Sequence, residues 1–243
     1  MDLTGDGVHE ALAEAMPGRA LRYYRAVTST DADAISWVRS GAPEGSVVVA
    51  ETSISPRGHG ERPWKFHAGR SLAFTMILRP LVPPLRQGWL YMLALMGIAD
   101  TVGGDRSTVE WPAELLEDDR RLAAVAVKVA PEPGRILWAV VNVIVPEPPR
   151  PRVALLAQVV EAIEGRYRQP PEELREDYLT RCTTIGRSVC ARLVPLGPAG
   201  RRLVGRAVDV RSDGALMIEI EEGRPVPARP QNVGILEDAP TES

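Results

Sequence analysis

Lysine and cysteine are both scarce in this chain of 243 residues. The two cysteines, Cys182 and Cys190, cannot build a disulfide framework, and their spacing does not fit a zinc knuckle. So few cysteines fit a reducing compartment, and we expect a cytoplasmic protein. Lys65 and Lys128 are the only lysines, so nearly all positive charge is arginine. The replacement of a lysine by an arginine is therefore weak evidence for a change of function in this chain.

The sequence also has no excess of positive charge and no long apolar run. A formal net charge of -3 argues against a general nucleic-acid binder. The longest apolar window, "LAFTMILRPLVPPL", is interrupted by Arg79 and three prolines, so we expect no membrane span. The first residues are acidic and lack an apolar segment, so we expect no signal peptide. A hydrophobic content of 44% is typical of a globular chain.

The hydrophobic pattern predicts a mixed α+β region followed by short strands. Helical periodicity favours helices over "HEALAEAM", about 31–39, "LRQGWLYMLALMGIADTVGG" and "VALLAQVVEAIEGRYR". Buried strands are indicated by "ALRYYRAV", "GSVVVAE", "RSLAFTMILRP" and "RILWAVVNVIV". After residue 188 the segments "SVCARLV", "LVGRAVDVR", "ALMIEI" and "NVGIL" are short and joined by turns. We therefore predict an α+β domain over 1–187 and a small all-β domain over 188–243.

The segment "AETSISPRGHGERPW", residues 50–64, follows the apolar run "SVVVA" and cannot continue it as a strand. It has features of an anion-binding loop, because glycines let backbone N–H groups approach phosphate and arginines neutralise its charge. These residues are Arg57, Gly58, Gly60, Arg62 and the terminal Trp64. Pro56 lacks an N–H donor and Glu61 adds negative charge, so neither suits a phosphate cradle.

Six segments follow one another in a distinctive order. They are "TSTDA", "AETSISPRGHGERPW", "EWPAE", "RRLAAVAVKV", the strand that reaches Asn142, and "TTIGRSV" with "GRAVDVRSDGALMIE". Together, from about residue 21 to 237, they resemble the biotin protein ligases of the biotin and lipoate ligase superfamily. The resemblance implies an α+β fold, with a mixed sheet flanked by helices and a small C-terminal SH3-like β-barrel. It also implies ATP and Mg as substrates, biotin or a similar small acid as ligand, and a biotin carrier protein as partner.

The activity that the resemblance implies is the joining of biotin and ATP to an acyl-adenylate, followed by acyl transfer to a carrier-protein lysine. Arg121 stands where the family has its catalytic lysine, and it keeps the charge with a different shape. Lys128 lies seven residues further along the same strand, so we expect it on the opposite face. The resemblance places these residues at the substrate and nucleotide: Ser29, Thr30, Asp31, Ser53, Arg57, Gly58, His59, Gly60, Arg62, Trp64, Trp111, Glu114, Ala123 and Asn142. No metal ligand is predicted.

Several substitutions fall on ligand positions and spare the scaffold. Pro56, His59 and Glu61 replace residues of the family's loop, Ala113 replaces an asparagine, and Arg121 replaces the lysine. These changes favour an alternative, in which the chain is a pseudoenzyme that acts as a small-molecule-binding, regulatory or protein-interaction module. The sequence leaves both readings open, and a homodimer with them. It contains no helix-turn-helix, so we expect no DNA binding.

Two of the site residues also have a plain structural explanation. A tryptophan before a proline, as at Trp111, is often a packing residue at a domain seam. His59 lies in a polar loop, where a histidine is more often solvated than chemically active. Arg121 differs from both, because an arginine on a strand that faces a pocket needs a counter-ion from a ligand or a carboxylate.

Overall fold

A computed structural model of the protein describes residues 2–5, 7–197, 200–220 and 223–239. The helices are α1 (Val8–Ala15), α2 (Thr30–Arg39), α3 (Gly88–Val102), α4 (Arg152–Arg168) and α5 (Pro171–Arg181). The first sheet contains β1 (Leu21–Val27), β2 (Val47–Ser53), β3 (Leu72–Leu78), β4 (Ser107–Glu110), β5 (Glu114–Glu117), β6 (Arg120–Glu132) and β7 (Arg135–Val145). The second contains β8 (Ser188–Leu193), β9 (Arg202–Val210), β10 (Leu216–Glu219), β11 (Pro225–Ala228) and β12 (Val233–Asp238).

The first sheet has the strand order β1-β2-β3-β7-β6-β5-β4. Strands β1 and β2 are parallel, and the other neighbours are antiparallel. Apolar runs such as "LAFTMIL" in β3 are buried along their whole length because helices cover both faces of the sheet. The predicted α+β class, with a large mixed sheet flanked by helices, is confirmed.

The two faces of this sheet are covered unequally. Helices α1, α3, α4 and α5 pack on one face and form the main core, which includes Phe74, Leu90 and Leu156. On the other face α2 packs over β2, β3 and β7, where Val48 and Ile77 are fully buried. The part of this face formed by β6 is left to the loop after β2. This uneven cover positions the candidate site.

The second sheet is antiparallel with the order β11-β10-β9-β8-β12. Strands β11 and β12 stand at opposite edges of an open sheet, so closure into an SH3-like barrel is not confirmed. Apolar side chains of this sheet, such as Val189 and Leu216, join the core of the first sheet. Strand β8 begins at Ser188, but the two-domain division stays a prediction, and residues 240–243 of the predicted second domain lie outside the described residues.

None of the helices in the described ranges combines the length and the apolar character that a membrane crossing requires. The longest of them, α4, has 17 residues and carries basic side chains in its last turn.

Candidate functional site

Residues 56–64, called the loop from here on, form a small closed hairpin. The Gly58 N–H donates to the Arg62 carbonyl at 2.9 Å, and the Trp64 N–H donates to the Pro56 carbonyl at 3.1 Å. Gly58 is buried beneath Trp64, where an added Cβ would lie 2.8 Å from the indole nitrogen. These bonds are internal to the loop, and its tip, His59–Glu61, is a short 3₁₀ turn.

The tip of the loop docks on the second sheet. His59 Nε2 lies 2.6 Å from the Val233 carbonyl oxygen, and His59 Nδ1 lies 3.1 Å from the Tyr91 hydroxyl. Gly60 adopts a positive φ of 64°, and a Cβ added there would lie 2.3 Å from the Gly234 carbonyl oxygen. The two backbones are therefore in direct contact, and only glycine fits at this position of the loop.

His59 is a docking residue rather than a solvated one. Burial lowers its pKa; the Val233 carbonyl opposes this shift, and the positive charge of Arg62 adds to it. In the neutral imidazole the Nε2–H group donates to Val233, and Nδ1 accepts from the Tyr91 hydroxyl. The sequence-based expectation of a solvated His59 is wrong because the second sheet covers this part of the loop.

Three buried side chains lie beneath the loop, and we call them the floor: Thr30, Thr75 and Asn142, with exposed fractions of 2%, 0% and 5%. The Thr30 and Thr75 hydroxyls lie 2.9 Å apart, and both lie close to Asn142 Oδ1, at 3.2 and 3.1 Å. Asn142 also donates from Nδ2 to the Arg57 carbonyl at 3.2 Å, so the floor holds the loop directly. The sequence indicated Thr30 and Asn142 but missed Thr75, which is an unremarkable strand residue in the pattern.

The first turn of α2 contributes a carboxylate to the site. Ser29 is the N-cap residue, but its side chain makes no capping hydrogen bond. Asp31 is buried, and its Oδ2 lies 2.8 Å from Lys128 Nζ, which lies 3.0 Å from Glu61 Oε1 as well. Burial lowers the pKa of Lys128, but the hydrogen bonds and charges of the two carboxylates outweigh it and raise the pKa above its usual value.

Arg121 and Lys128 lie on the same face of β6, so the expectation of opposite faces is wrong. The ladder between β5 and β6 pairs Leu115 with Ala123 but Leu116 with Arg121, which leaves Leu122 as an extra residue. Such a bulge shifts the alternation of side chains by one position. Strict alternation along "RRLAAVAVK" could not reveal it from the sequence.

The guanidinium of Arg121 is already paired. Its Nε lies 2.7 Å from Glu114 Oε2, and the group stacks over the Trp64 ring at 5.1 Å from the ring centroid. The predicted counter-ion of Arg121 is therefore a carboxylate of the chain itself. We call the ion-pairing residues Glu61, Glu114, Arg121 and Lys128 the rim.

A cleft opens between the loop, the turn from β4 to β5, and β12. Trp111 lines it but is 2% exposed, and its indole N–H donates to the Gly214 carbonyl at 2.9 Å, which fits a packing residue. Ala124 lines the cleft, whereas Ala123 is fully buried in the main core on the other face of β6. Ser53 is buried at the end of β2 and is not one of the residues that line the cleft.

The arrangement suits an anionic ligand with a polar, uncharged part. Exposed Arg57 and Arg62 belong to the loop, half-exposed Lys128 contacts Glu61 of the loop, and the floor offers hydroxyl and amide groups. The residues in the described ranges contain no group of three or more His, Cys, Asp or Glu side chains that could hold a metal ion.

The fold of the chain is similar to the folds of solved biotin protein ligases. The chain has the fold of the biotin protein ligases: it superposes on the biotin protein ligase from Aquifex aeolicus in complex with biotin and ATP with a TM-score of 0.70. That match covers 90% of this chain and 99% of the other, at 16% identity. The biotin acetyl coenzyme A carboxylase synthetase from Helicobacter pylori with bound biotinylated ATP gives a TM-score of 0.63 at 16% identity, over 86% and 100% of the two chains.

A curated relative points the same way. The bifunctional ligase/repressor BirA of Bacillus subtilis (strain 168) is 22% identical over 254 aligned residues, which cover 91% of this chain and 76% of the relative. No protein-family model matches the chain. The resemblance to the biotin protein ligases is confirmed, and the chain is related to them.

Proposed function

We propose that this biotin-protein-ligase-like chain binds biotin, or a related small acid, together with ATP at the loop and floor. It joins the two to an acyl-adenylate and then transfers the acyl group to a lysine of a carrier protein. The carboxylate of the acid would attack the α-phosphorus of ATP and release pyrophosphate. The lysine amine would then attack the acyl carbon of the adenylate, which forms an amide and releases AMP and a proton. Magnesium would enter with ATP as part of the substrate.

The observation that supports this proposal is the buried floor beneath a loop that carries positive charge. Thr30, Thr75 and Asn142 are polar side chains with almost no solvent contact, which a purely structural sheet face would replace with apolar residues. Two of the three floor residues, Thr30 and Asn142, are among those that the resemblance assigns to the substrate and nucleotide.

Exchange of radioactive pyrophosphate into ATP that depends on biotin tests the first step. Mass spectrometry of a biotin carrier domain incubated with the protein, biotin and ATP tests the second. We expect both signals from the wild-type chain and neither from Asn142→Leu, which removes the amide that holds the floor and the loop. Asn232→Leu, outside the loop and floor, is the matched control. Absence of exchange with biotin and with related acids would contradict the proposal.

A second candidate function is binding without turnover. It is favoured by the ion pair of Arg121 with Glu114, which occupies the guanidinium that stands in the position of the family's lysine. Calorimetry distinguishes the two functions. Heat of binding for biotin and ATP, with no pyrophosphate exchange, would support this regulatory or ligand-sensing function and not the ligase.

A further inference from the structure

The two carboxylates that contact Lys128 differ in how firmly they are held. Asp31 belongs to the first turn of α2, and only 9% of its side chain is exposed. Glu61 belongs to the tip of the loop, and 61% of its side chain is exposed. Asp31 is therefore a fixed partner, whereas water and solutes have direct access to the carboxylate of Glu61.

The backbone at Glu61 also stands out. Glu61 has a φ of 58°, in the left-handed region that residues other than glycine, asparagine and aspartate rarely adopt. The preceding Gly60 has a φ of 64° as well. The tip of the loop thus brings a carboxylate to Lys128 at a position where its backbone favours glycine.

Lys128 stands directly beside the floor. In the ladder between β6 and β7, Ala126 is opposite Asn142, and Lys128 is the next residue of β6 on the same face. Asp31 directly follows Thr30 in α2. Both members of the ion pair between Asp31 and Lys128 therefore lie next to residues of the floor. A ligand that hydrogen-bonds to the floor would bring its charged group next to Lys128.

Charge balance indicates which groups can replace Glu61 beside Lys128. One ammonium group with two carboxylates carries a net charge of -1, which repels an anion. If Glu61 moves away, a carboxylate or phosphate oxygen can take its place with the same local charge. Arg121 does not offer this exchange, because its partner Glu114 lies on the neighbouring strand and is only 18% exposed.

We propose that Lys128 is the anion-binding cation of this site and that Glu61 is its displaceable counter-ion, which a ligand carboxylate or phosphate replaces. The assignment rests on the proposed function for the location of the ligand. It differs from that function in assigning anion binding to Lys128 instead of Arg121. It also implies that Glu61 of the closed loop and the ligand compete for Lys128.

The scarcity of lysine allows a direct test of the ion pair. Wild-type protein and Glu61→Gln are treated with a limiting amount of an amine-acylating reagent, and Lys128 and exposed Lys65 are followed by mass spectrometry. Loss of one carboxylate lowers the pKa of Lys128, so we expect its labelling to become about tenfold faster, while Lys65 stays constant. Glu132→Gln, which removes the partner of Arg135 at the other end of β6, is the matched control. Equal labelling of Lys128 in all three proteins would overturn the proposal.

Binding of defined anions tests the exchange. Biotin supplies a carboxylate, and ATP and inorganic pyrophosphate supply phosphate, so separate titrations identify the source of the anion. We expect at least one of them to protect Lys128 from labelling and to bind about tenfold more tightly to Glu61→Gln, since a competing charge has gone. Lys128→Gln should bind that anion more weakly than wild type.

The outcomes separate this inference from the proposed function. Protection of Lys128 without pyrophosphate exchange would support the anion site and contradict the ligase activity. Exchange activity with unchanged anion affinity in Glu61→Gln and Lys128→Gln would support the ligase and overturn the inference. Failure of all three anions to protect Lys128 overturns it as well.

Discussion

Thr30, Thr75 and Asn142 form the floor through hydrogen bonds that solvent hardly reaches, whereas the rim depends on ion pairs between partly exposed side chains such as Arg121 and Lys128. His59 and Gly60 at the tip of the loop resemble the floor, because their contacts with the second sheet carry no charge. Buried hydrogen bonds are costly to break, since they leave polar groups without partners, while exposed ion pairs contribute little and are screened by salt. We therefore expect the floor and the contacts of His59 and Gly60 to hold the loop in place, and the ion pairs of the rim to change easily.

The largest effect is expected at the tip. Gly60→Ala places a Cβ against the Gly234 carbonyl and forces a positive φ on alanine. We expect the free energy of unfolding to fall by about 3 kcal/mol, or the loop to separate from the second sheet. Urea denaturation and hydrogen exchange of the loop measure both effects. Gly69→Ala is the matched control, because Gly69 has a φ of 73° with no atom within 4 Å of an added Cβ. Equal losses in the two variants would show that the backbone contact is unimportant.

The floor should give the next largest effect. Thr75→Val keeps the shape of the side chain but removes the hydroxyl between Thr30 and Asn142, so we expect a loss of about 2 kcal/mol in the free energy of unfolding. Thr108→Val on β4, whose side chain is half-buried and not part of the floor, should change stability by about 0.5 kcal/mol or less. If both variants unfold alike, the floor is not a cooperative network.

The docking of His59 makes stability depend on pH. The folded-state pKa of His59 lies below its ordinary value of 6.5, so the unfolded chain binds a proton first as the pH falls. Stability from this group is present above pH 6.5 and is lost as the pH falls through the lower folded pKa. The melting temperature of the wild type should therefore drop more between pH 7.5 and pH 5.5 than that of His59→Gln. His67→Gln should retain the wild-type pH dependence.

The smallest effect is expected at the rim. Glu114→Gln breaks the pair with Arg121, whose side chain is 45% exposed, so we expect a stability change below about 1 kcal/mol. Chemical denaturation measures the change, and Glu117→Gln, which breaks a comparable pair with Arg120, is the reference variant. A loss as large as that of Thr75→Val would erase the distinction between rim and floor.

The sequence predicted β1, β2, β3 and β7 of the first sheet and most helices from the pattern of their apolar residues. It missed α5, where Leu174 and Tyr178 are the buried residues of an otherwise polar helix, and β11, whose two prolines argue against a strand. At the site, it predicted the loop and two residues of the floor from resemblance. The prediction that Lys128 and Arg121 lie on opposite faces of β6 was wrong, because the extra residue at Leu122 is a property of strand pairing that periodicity does not encode.

The contact between Gly60 and Gly234 has a consequence for how the site opens. Side chains can adjust to small movements, but two touching backbones cannot slide past one another without one of them giving way. The loop is also closed by its own hydrogen bonds. We therefore expect access to the floor to require either a joint movement of the loop and the second sheet or loss of the contact between Gly60 and Gly234.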